Sequence, residues 1–60
     1  MTVKELKKMD ICKGANKINY YDVNGVNISN KPSLILDLLQ VIGAMHNADG
    51  SIDVDVNYVE

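Results

Sequence analysis

The stretch that decides the predicted fold is PSLILDLLQVIGAMHNA, residues 32–48, the longest apolar segment of the chain. Placed on a helix at about 100° per residue, its small and polar residues share one narrow stripe. Those residues are Ser33, Asp37, Gln40, Ala44 and Asn47. Its large aliphatic side chains take most of the remaining circumference, so we predict one long central helix with an apolar arc of roughly 200°.

An apolar arc this wide is more than one small sheet can cover, so we expect a second cover from a partner or a second copy. On the helical wheel, one flank of the arc is available for that contact. Gly43 lies on this flank, where a missing side chain would let a neighbouring backbone approach closely. The predicted partner-binding residues are Leu36, Leu39, Gly43 and His46.

The length of 60 residues predicts a single small domain, residues 1–60, with a thin stability margin. A core of this size seldom yields more than about 3 to 5 kcal/mol, so small domains usually add disulfides, a metal or a partner subunit. The lone Cys12 excludes a disulfide within one chain, and the sequence has no Cys and His cluster with zinc spacing. Oligomerisation remains, and we expect a homodimer.

Charge is distributed unevenly along the chain. Residues 1–31 carry all six lysines against three acids, a balance of +3, whereas residues 32–60 carry five acids and no base, a balance of −5. This asymmetry supports an alternative function, a small nucleic-acid-binding regulator with phosphate contacts from its lysine-rich half. The candidate residues are Lys4, Lys7, Lys8, Lys13 and Lys17. The net charge of −2 and the lack of arginine disfavour this alternative.

Thr2-Val3-Lys4-Glu5 fits a capping box, in which the Thr hydroxyl and the Glu carboxylate satisfy free backbone amides at a helix start. We predict a short helix over residues 3–9, with Ile11 and Cys12 continuing its buried side. Such a short helix is marginal alone, so it must dock on the rest of the protein.

Asn24-Gly25 between β-forming residues predicts a hairpin with a two-residue type I′ turn, pairing Val23 with Val26 and Tyr21 with Ile28. Residues 29–32 are typical of a helix entry, with Ser29 or Asn30 as the cap and Pro32 in the first turn. After a turn in which Gly50 takes a left-handed conformation, residues 51–58 alternate as a half-buried strand.

The predicted fold class is therefore α+β with the order α-β-β-α-β: a short N-terminal helix, a β-hairpin, a central long helix and a C-terminal strand. The economical sheet is three-stranded and antiparallel, with strand order 2-1-3, and packs on one helix. Both of its edges are open, where another chain could add.

No motif in the sequence supports catalysis or a cofactor. His46 and Cys12 are candidates for nucleophilic or acid-base chemistry, and neither has a local signature. Asp53 and Asp55 project from one face of the C-terminal strand, but paired carboxylates on a short edge strand are more often solvated residues than an acid and base pair. Asp49, Gly50 and Asp53 partly resemble a calcium loop in their spacing, but Met45 and Val56 fall where two essential ligands belong. We therefore expect no enzyme, no metal and no cofactor.

The predicted function is a non-enzymatic protein-protein interaction module, a regulator or inhibitor that binds a protein partner as a homodimer. The charged N-terminal residues 2–8 do not resemble a signal peptide, and the apolar run at residues 34–45 is too short to span a bilayer. We therefore expect a cytoplasmic protein with no membrane contact, and the style of the chain favours a bacterial or phage origin.

Overall fold

The computed structural model describes residues 1–10 and 12–59, so the predicted buried position of Ile11 lies outside the described residues. The fold is α+β, with two short helices and a three-stranded mixed sheet of order β1-β3-β2. Its elements in chain order are α1 (Val3–Leu6), β1 (Ile18–Tyr21), α2 (Ser33–Leu36), β2 (Val41–His46) and β3 (Ile52–Val56).

Strand β3 is the centre of the molecule. It pairs with β1 in parallel and with β2 antiparallel, so both of its backbone edges are used. The predicted alternation is confirmed: Ile52, Val54 and Val56 are fully buried, while Asp53 and Asp55 lie on the opposite face. Burying one such aliphatic side chain contributes about 1.5 to 3 kcal/mol, so this strand supplies a large share of the core.

The prediction of a long central helix is wrong. Only one helical turn, α2, forms after Pro32, and the second half of the apolar segment is the extended strand β2. After α2, the amides of Leu38 and Leu39 bond three residues back, to Ile35 and Leu36, so the helix tightens and ends. Val41 and Ile42 are β-branched and Gly43 is a weak helix former, and all three favour the extended state that follows.

The predicted antiparallel sheet with order 2-1-3 is also wrong. The first strand lies at an edge, and it runs parallel to β3 rather than antiparallel to it. The second predicted strand is reduced to an isolated bridge between Tyr21 and Asn27. β2 takes its place in the sheet, because β3 has amides on the side away from β1 that need partners.

The two hairpin loops are built alike, and neither is the predicted type I′ turn. In residues 22–26 and 47–51 the glycine amide bonds to the residue three positions earlier, with Gly25 at φ +80° and Gly50 at φ +87°. Asn24 lacks the positive φ that a type I′ turn requires. Each loop therefore has three residues ending in a left-handed glycine, which confirms the prediction for Gly50.

Helix α1 covers the core, and the structure confirms its capping box. The Thr2 hydroxyl accepts from the Glu5 amide, and the Glu5 carboxylate accepts from the Thr2 amide. The helix is shorter than predicted and ends at Leu6. It is fastened to the segment before β2, because the Val3 amide donates to the Leu39 carbonyl (2.9 Å) and Lys7 pairs with Asp37 (2.6 Å).

A single apolar cluster is enclosed by β1, β3, the two short helices and the segment after the first hairpin. Its buried members are Val3, Leu6, Tyr20, Ile28, Leu36, Ile52, Val54 and Val56. The sheet is thus covered by two helical turns instead of one long helix.

The two loop glycines provide a matched pair for a stability test. Gly50→Ala should lower the free energy of unfolding more than Gly25→Ala. Both variants place alanine in a left-handed conformation, which costs about 1 to 2 kcal/mol. Of the two variants, only Gly50→Ala brings the new Cβ close to a neighbouring atom, the side-chain amide nitrogen (Nδ2) of Asn16 at 3.2 Å.

That nitrogen donates to the Asp49 carbonyl (2.9 Å), so displacing it should add about 1 kcal/mol to the loss in Gly50→Ala. Urea denaturation of the two variants beside the unsubstituted protein measures the difference. Equal losses would contradict the described packing of Asn16 against the second loop.

The capping box predicts a loss of about 1 kcal/mol for Thr2→Ala, because the helix start loses its side-chain acceptor. Two hydrogen bonds from Thr2, one from its amide and one from its hydroxyl, lower the pKa of the Glu5 carboxyl. A lowered folded-state pKa contributes stability above the ordinary glutamate range, and that stability disappears as the pH falls through the folded value.

Acidification from about pH 6 to about pH 3 should therefore destabilise the unsubstituted protein more than Thr2→Ala or Glu5→Gln. Thermal melts at stepped pH measure this. Asp10→Asn is the control, since Asp10 is exposed and contacts only Lys13 at 3.4 Å. An acid profile of Glu5→Gln identical to that of the unsubstituted protein would argue against the capping box.

Candidate interaction surface

The stretch from α2 to β2 exposes an unusual amount of apolar surface. Within residues 34–45, only Leu36 is buried among the large apolar side chains. Five others are exposed: Leu34 (80%), Ile35 (45%), Leu38 (72%), Ile42 (63%) and Met45 (62%). We call these five residues the exposed apolar stretch. The surplus of apolar surface was predicted for this segment, although on a helix that does not form.

Strand β2 lies at an edge of the sheet, and two hydrogen bonds fix the direction of its backbone groups. The Asn47 amide donates to Ser51, and the Asn57 amide donates to Gln40, both at 2.9 Å. In an antiparallel ladder, hydrogen-bonded pairs alternate with pairs that are not hydrogen-bonded. Counting back from Asn47, the backbone N–H and C=O groups of Met45 and Gly43 face β3. The backbone groups of Ala44 and His46 therefore point outward, away from the sheet.

No described residue pairs with this outer side of β2 from Ile42 to His46. We call it the free β2 edge. Before Ile42 the same side is occupied, because the Val41 amide donates to the Met1 carbonyl (2.7 Å) and Thr2 bridges Gln40. Between Val41 and Gly43 the register shifts, so that Ile42 is the extra residue of a β-bulge.

The four predicted partner-binding residues do not share one face. Leu36 is 4% exposed and belongs to the core, and Leu39 is half-buried against it. Gly43 and His46 lie in β2, with Gly43 beside Asp55 and His46 beside Ile52, on opposite faces of the sheet. The helical flank that was predicted to unite the four is absent, while their role in binding stays a prediction.

Sequence reasoning missed Ile42, Ala44 and Met45 as edge residues. A signal was present, because the segment Asn47-Ala48-Asp49-Gly50 has the same residue types as the first hairpin loop, Asp22-Val23-Asn24-Gly25. Two segments that flank such a loop and are rich in β-branched residues predict a hairpin. That pattern would have indicated a strand at residues 41–46 instead of a helix.

The sheet face opposite the core is polar. Asp53 and Asp55 lie there in the central strand, and not on an edge strand as predicted. The Asn19 amide nitrogen donates to the Asp53 carboxylate (3.0 Å), so this acid is already engaged by a neighbouring strand. Met45 lies beside Asp53 and Gly43 beside Asp55, which brings the free β2 edge next to this polar face.

The Asp49 carboxylate is used by its own loop. It accepts hydrogen bonds from the Ser51 hydroxyl (2.6 Å) and from the Ser51 amide (2.9 Å), and these lower the pKa of Asp49. The turn role of the Asp49-Gly50 pair is therefore visible in the structure. Across residues 1–10 and 12–59, no three His, Cys, Asp or Glu side chains cluster as metal ligands would.

The lysines of the nucleic-acid alternative, Lys4, Lys7, Lys8, Lys13 and Lys17, are all exposed. Lys7, however, pairs with Asp37, which raises the pKa of the lysine, and Lys13 lies 3.4 Å from Asp10. Two of the five charges are thus partly neutralised by neighbouring acids. This arrangement adds no support to phosphate binding.

Cys12 is half-buried and packs against the core, whereas His46 is exposed at the end of β2. Burial raises the pKa of the Cys12 thiol, and the nearby Lys7 only partly opposes this. A nucleophilic cysteine needs the opposite shift, because the thiolate is the reactive form. Cys12 therefore behaves as a small apolar residue of the core.

Comparison with protein-family models, curated proteins and solved structures found no match. None of the helices in the described part of the chain is long and apolar enough to cross a membrane.

The raised pKa of Cys12 predicts slow alkylation. The rate of reaction with iodoacetamide should rise with pH along a curve that is displaced to higher pH than that of free cysteine. The same protein unfolded in urea is the matched control, and its curve should return to that of free cysteine. A folded protein that reacts faster than its unfolded form would contradict the buried position of the thiol.

Proposed function

We propose that this protein is a small non-enzymatic protein-protein interaction module that works as a homodimer and regulates or inhibits a protein partner. The observation that carries the proposal is the exposed apolar stretch. Four of its five side chains, those of Leu34, Leu38, Ile42 and Met45, have more than 60% of their surface exposed to water.

The balance between buried and exposed apolar residues supports association. In the described part of the chain, eight apolar residues form the buried core, and ten large apolar side chains are exposed. Soluble monomers rarely expose extended apolar surface, and where such surface occurs it commonly marks an interaction site. Half of the ten exposed side chains belong to one short stretch, so the surplus is concentrated rather than scattered.

Size also favours a partner. The accessible surface of the protein is 3933 Å². An interface of standard size, about 800 Å² per partner, would cover roughly a fifth of it. Covering the exposed apolar stretch would add apolar burial that a core of this size cannot supply alone. The proposed mechanism is occupation of a surface, with no bond made or broken.

A concentration series in sedimentation velocity tests the proposal. The unsubstituted protein should sediment increasingly as a dimer as its concentration rises through the micromolar range. A variant carrying Leu34→Gln, Leu38→Gln and Met45→Gln should remain a monomer, because it removes apolar surface that the dimer buries. Circular dichroism checks that the fold is retained.

The matched control carries Val23→Thr and Val59→Thr, which change exposed apolar side chains outside the exposed apolar stretch. This variant should dimerise like the unsubstituted protein. A protein that stays monomeric at every concentration would remove the homodimer from the proposal, and dimerisation of the triple variant would place the contact elsewhere.

A further inference from the structure

We infer that two copies of this protein pair through their free β2 edges, antiparallel, about a twofold axis at Ala44. The inference rests on the proposed function, because it names the geometry of the homodimer. An exposed strand edge offers unpaired backbone donors and acceptors, and an added strand satisfies them. The question is therefore which strand fits this edge.

The limits of the edge select the register. On one side it is closed by Met1, whose carbonyl accepts from the Val41 amide at 2.7 Å. On the other side Asn47 turns back toward Ser51. The open window is residues 42–46, and Ala44 is its centre. An antiparallel pair that is centred on Ala44 uses the whole window of both copies, whereas any shifted register leaves part of it unpaired.

The direction of the backbone groups agrees with this register. Ala44 and His46 point outward, so Ala44 would face its own equivalent and His46 would face Ile42 of the second copy. Residues that exchange both backbone bonds are the hydrogen-bonded pairs of an antiparallel ladder. The pair of Ala44 with its equivalent is of this kind, with the small side chain of Ala44 at the point where the two strands are related by symmetry.

The side chains between these pairs are complementary in size. Met45, which is 62% exposed, would lie opposite Gly43 of the second copy. Gly43 has space above it, since a Cβ built there would meet only the Asp55 carboxylate at 4.0 Å. The long side chain of Met45 would therefore cover Gly43 of the second copy, which has no side chain. The twofold axis generates the same contact a second time.

Charge does not oppose the pairing. The segment between Asp37 and Asp49 contains no lysine, arginine, aspartate or glutamate, so no like charges would face each other across the edge. Charged side chains, prolines and β-bulges are the usual devices that keep a strand edge monomeric. This edge has no charged residue and no proline, and its one bulge, at Ile42, lies at the end of the open window. The product would be a continuous six-stranded sheet of order β1-β3-β2-β2-β3-β1.

Disulfide trapping tests the axis directly. Hydrogen-bonded partners in an antiparallel pair have Cα atoms about 5.5 Å apart, within the range that a disulfide spans. In a Cys12→Ser background, Ala44→Cys should give a covalent dimer on mild oxidation. Leu34→Cys in the same background is the control, because Leu34 is 80% exposed but lies on α2, and it should crosslink far more slowly.

Ala44→Pro provides a second test, because the Ala44 amide points outward and the substitution removes no bond within the chain. It should abolish the dimer seen in sedimentation, while circular dichroism stays unchanged. Met45→Lys keeps the backbone intact and should also give a monomer, which covers the case in which the proline variant does not fold. Val23→Lys is the matched control, because Val23 is exposed outside the exposed apolar stretch, and it should remain dimeric.

The outcomes separate the two proposals. If the unsubstituted protein dimerises but Met45→Lys does not weaken the dimer and the thiols at position 44 do not crosslink, edge pairing is overturned and the homodimer stands. If Leu38→Lys gives a monomer and Met45→Lys does not, the contact lies around Leu38, which follows α2, and edge pairing is again overturned. An unsubstituted protein that is monomeric throughout overturns both.

Discussion

The pairing of β3 on both sides is the constraint on which the rest of the structure depends. Its amides alternate in direction: Ile52 donates to Lys17 on the β1 side, and Asn57 donates to Gln40 on the β2 side. Its inward side chains are fully buried, so unpaired backbone groups beside them would carry a desolvation penalty. The chain must therefore supply a strand on each side, and in a protein this short one of the two comes from the apolar segment.

This requirement explains the apolar surface. A long helix over residues 32–48 would have turned part of its apolar arc toward the sheet, whereas the strand leaves one edge and the side chains of Ile42 and Met45 open. The helical turn before it buries only Leu36. The same choice that completes the pairing of β3 thus creates the surface on which the proposed association depends. The stability of the fold and the proposed association are thus linked through β2.

Most local signals in the sequence were reliable, apart from the type I′ turn predicted at Asn24-Gly25, and long-range ones were not. The capping box at Thr2, the left-handed Gly50 and the alternation of β3 were predicted correctly, because each depends on neighbouring residues. Whether residues 41–46 form a helix or a strand depends on β3, which follows them after a loop, and on β1, which lies far earlier in the chain. The helical periodicity of an apolar segment carries no information about whether β3 needs a second neighbouring strand. The surplus of exposed apolar residues was therefore predicted, but the free strand edge beside them was not.

The central claim is that residues 41–46 form a strand paired with β3, and nuclear Overhauser effects between backbone protons test it most directly. A strand predicts strong Hα to Hα contacts between Ala44 and Val54 and between His46 and Ile52, the closely spaced pairs of this ladder. Strong sequential amide contacts through residues 41–46, together with contacts from each residue to the third one after it, would show a helix there and contradict the fold.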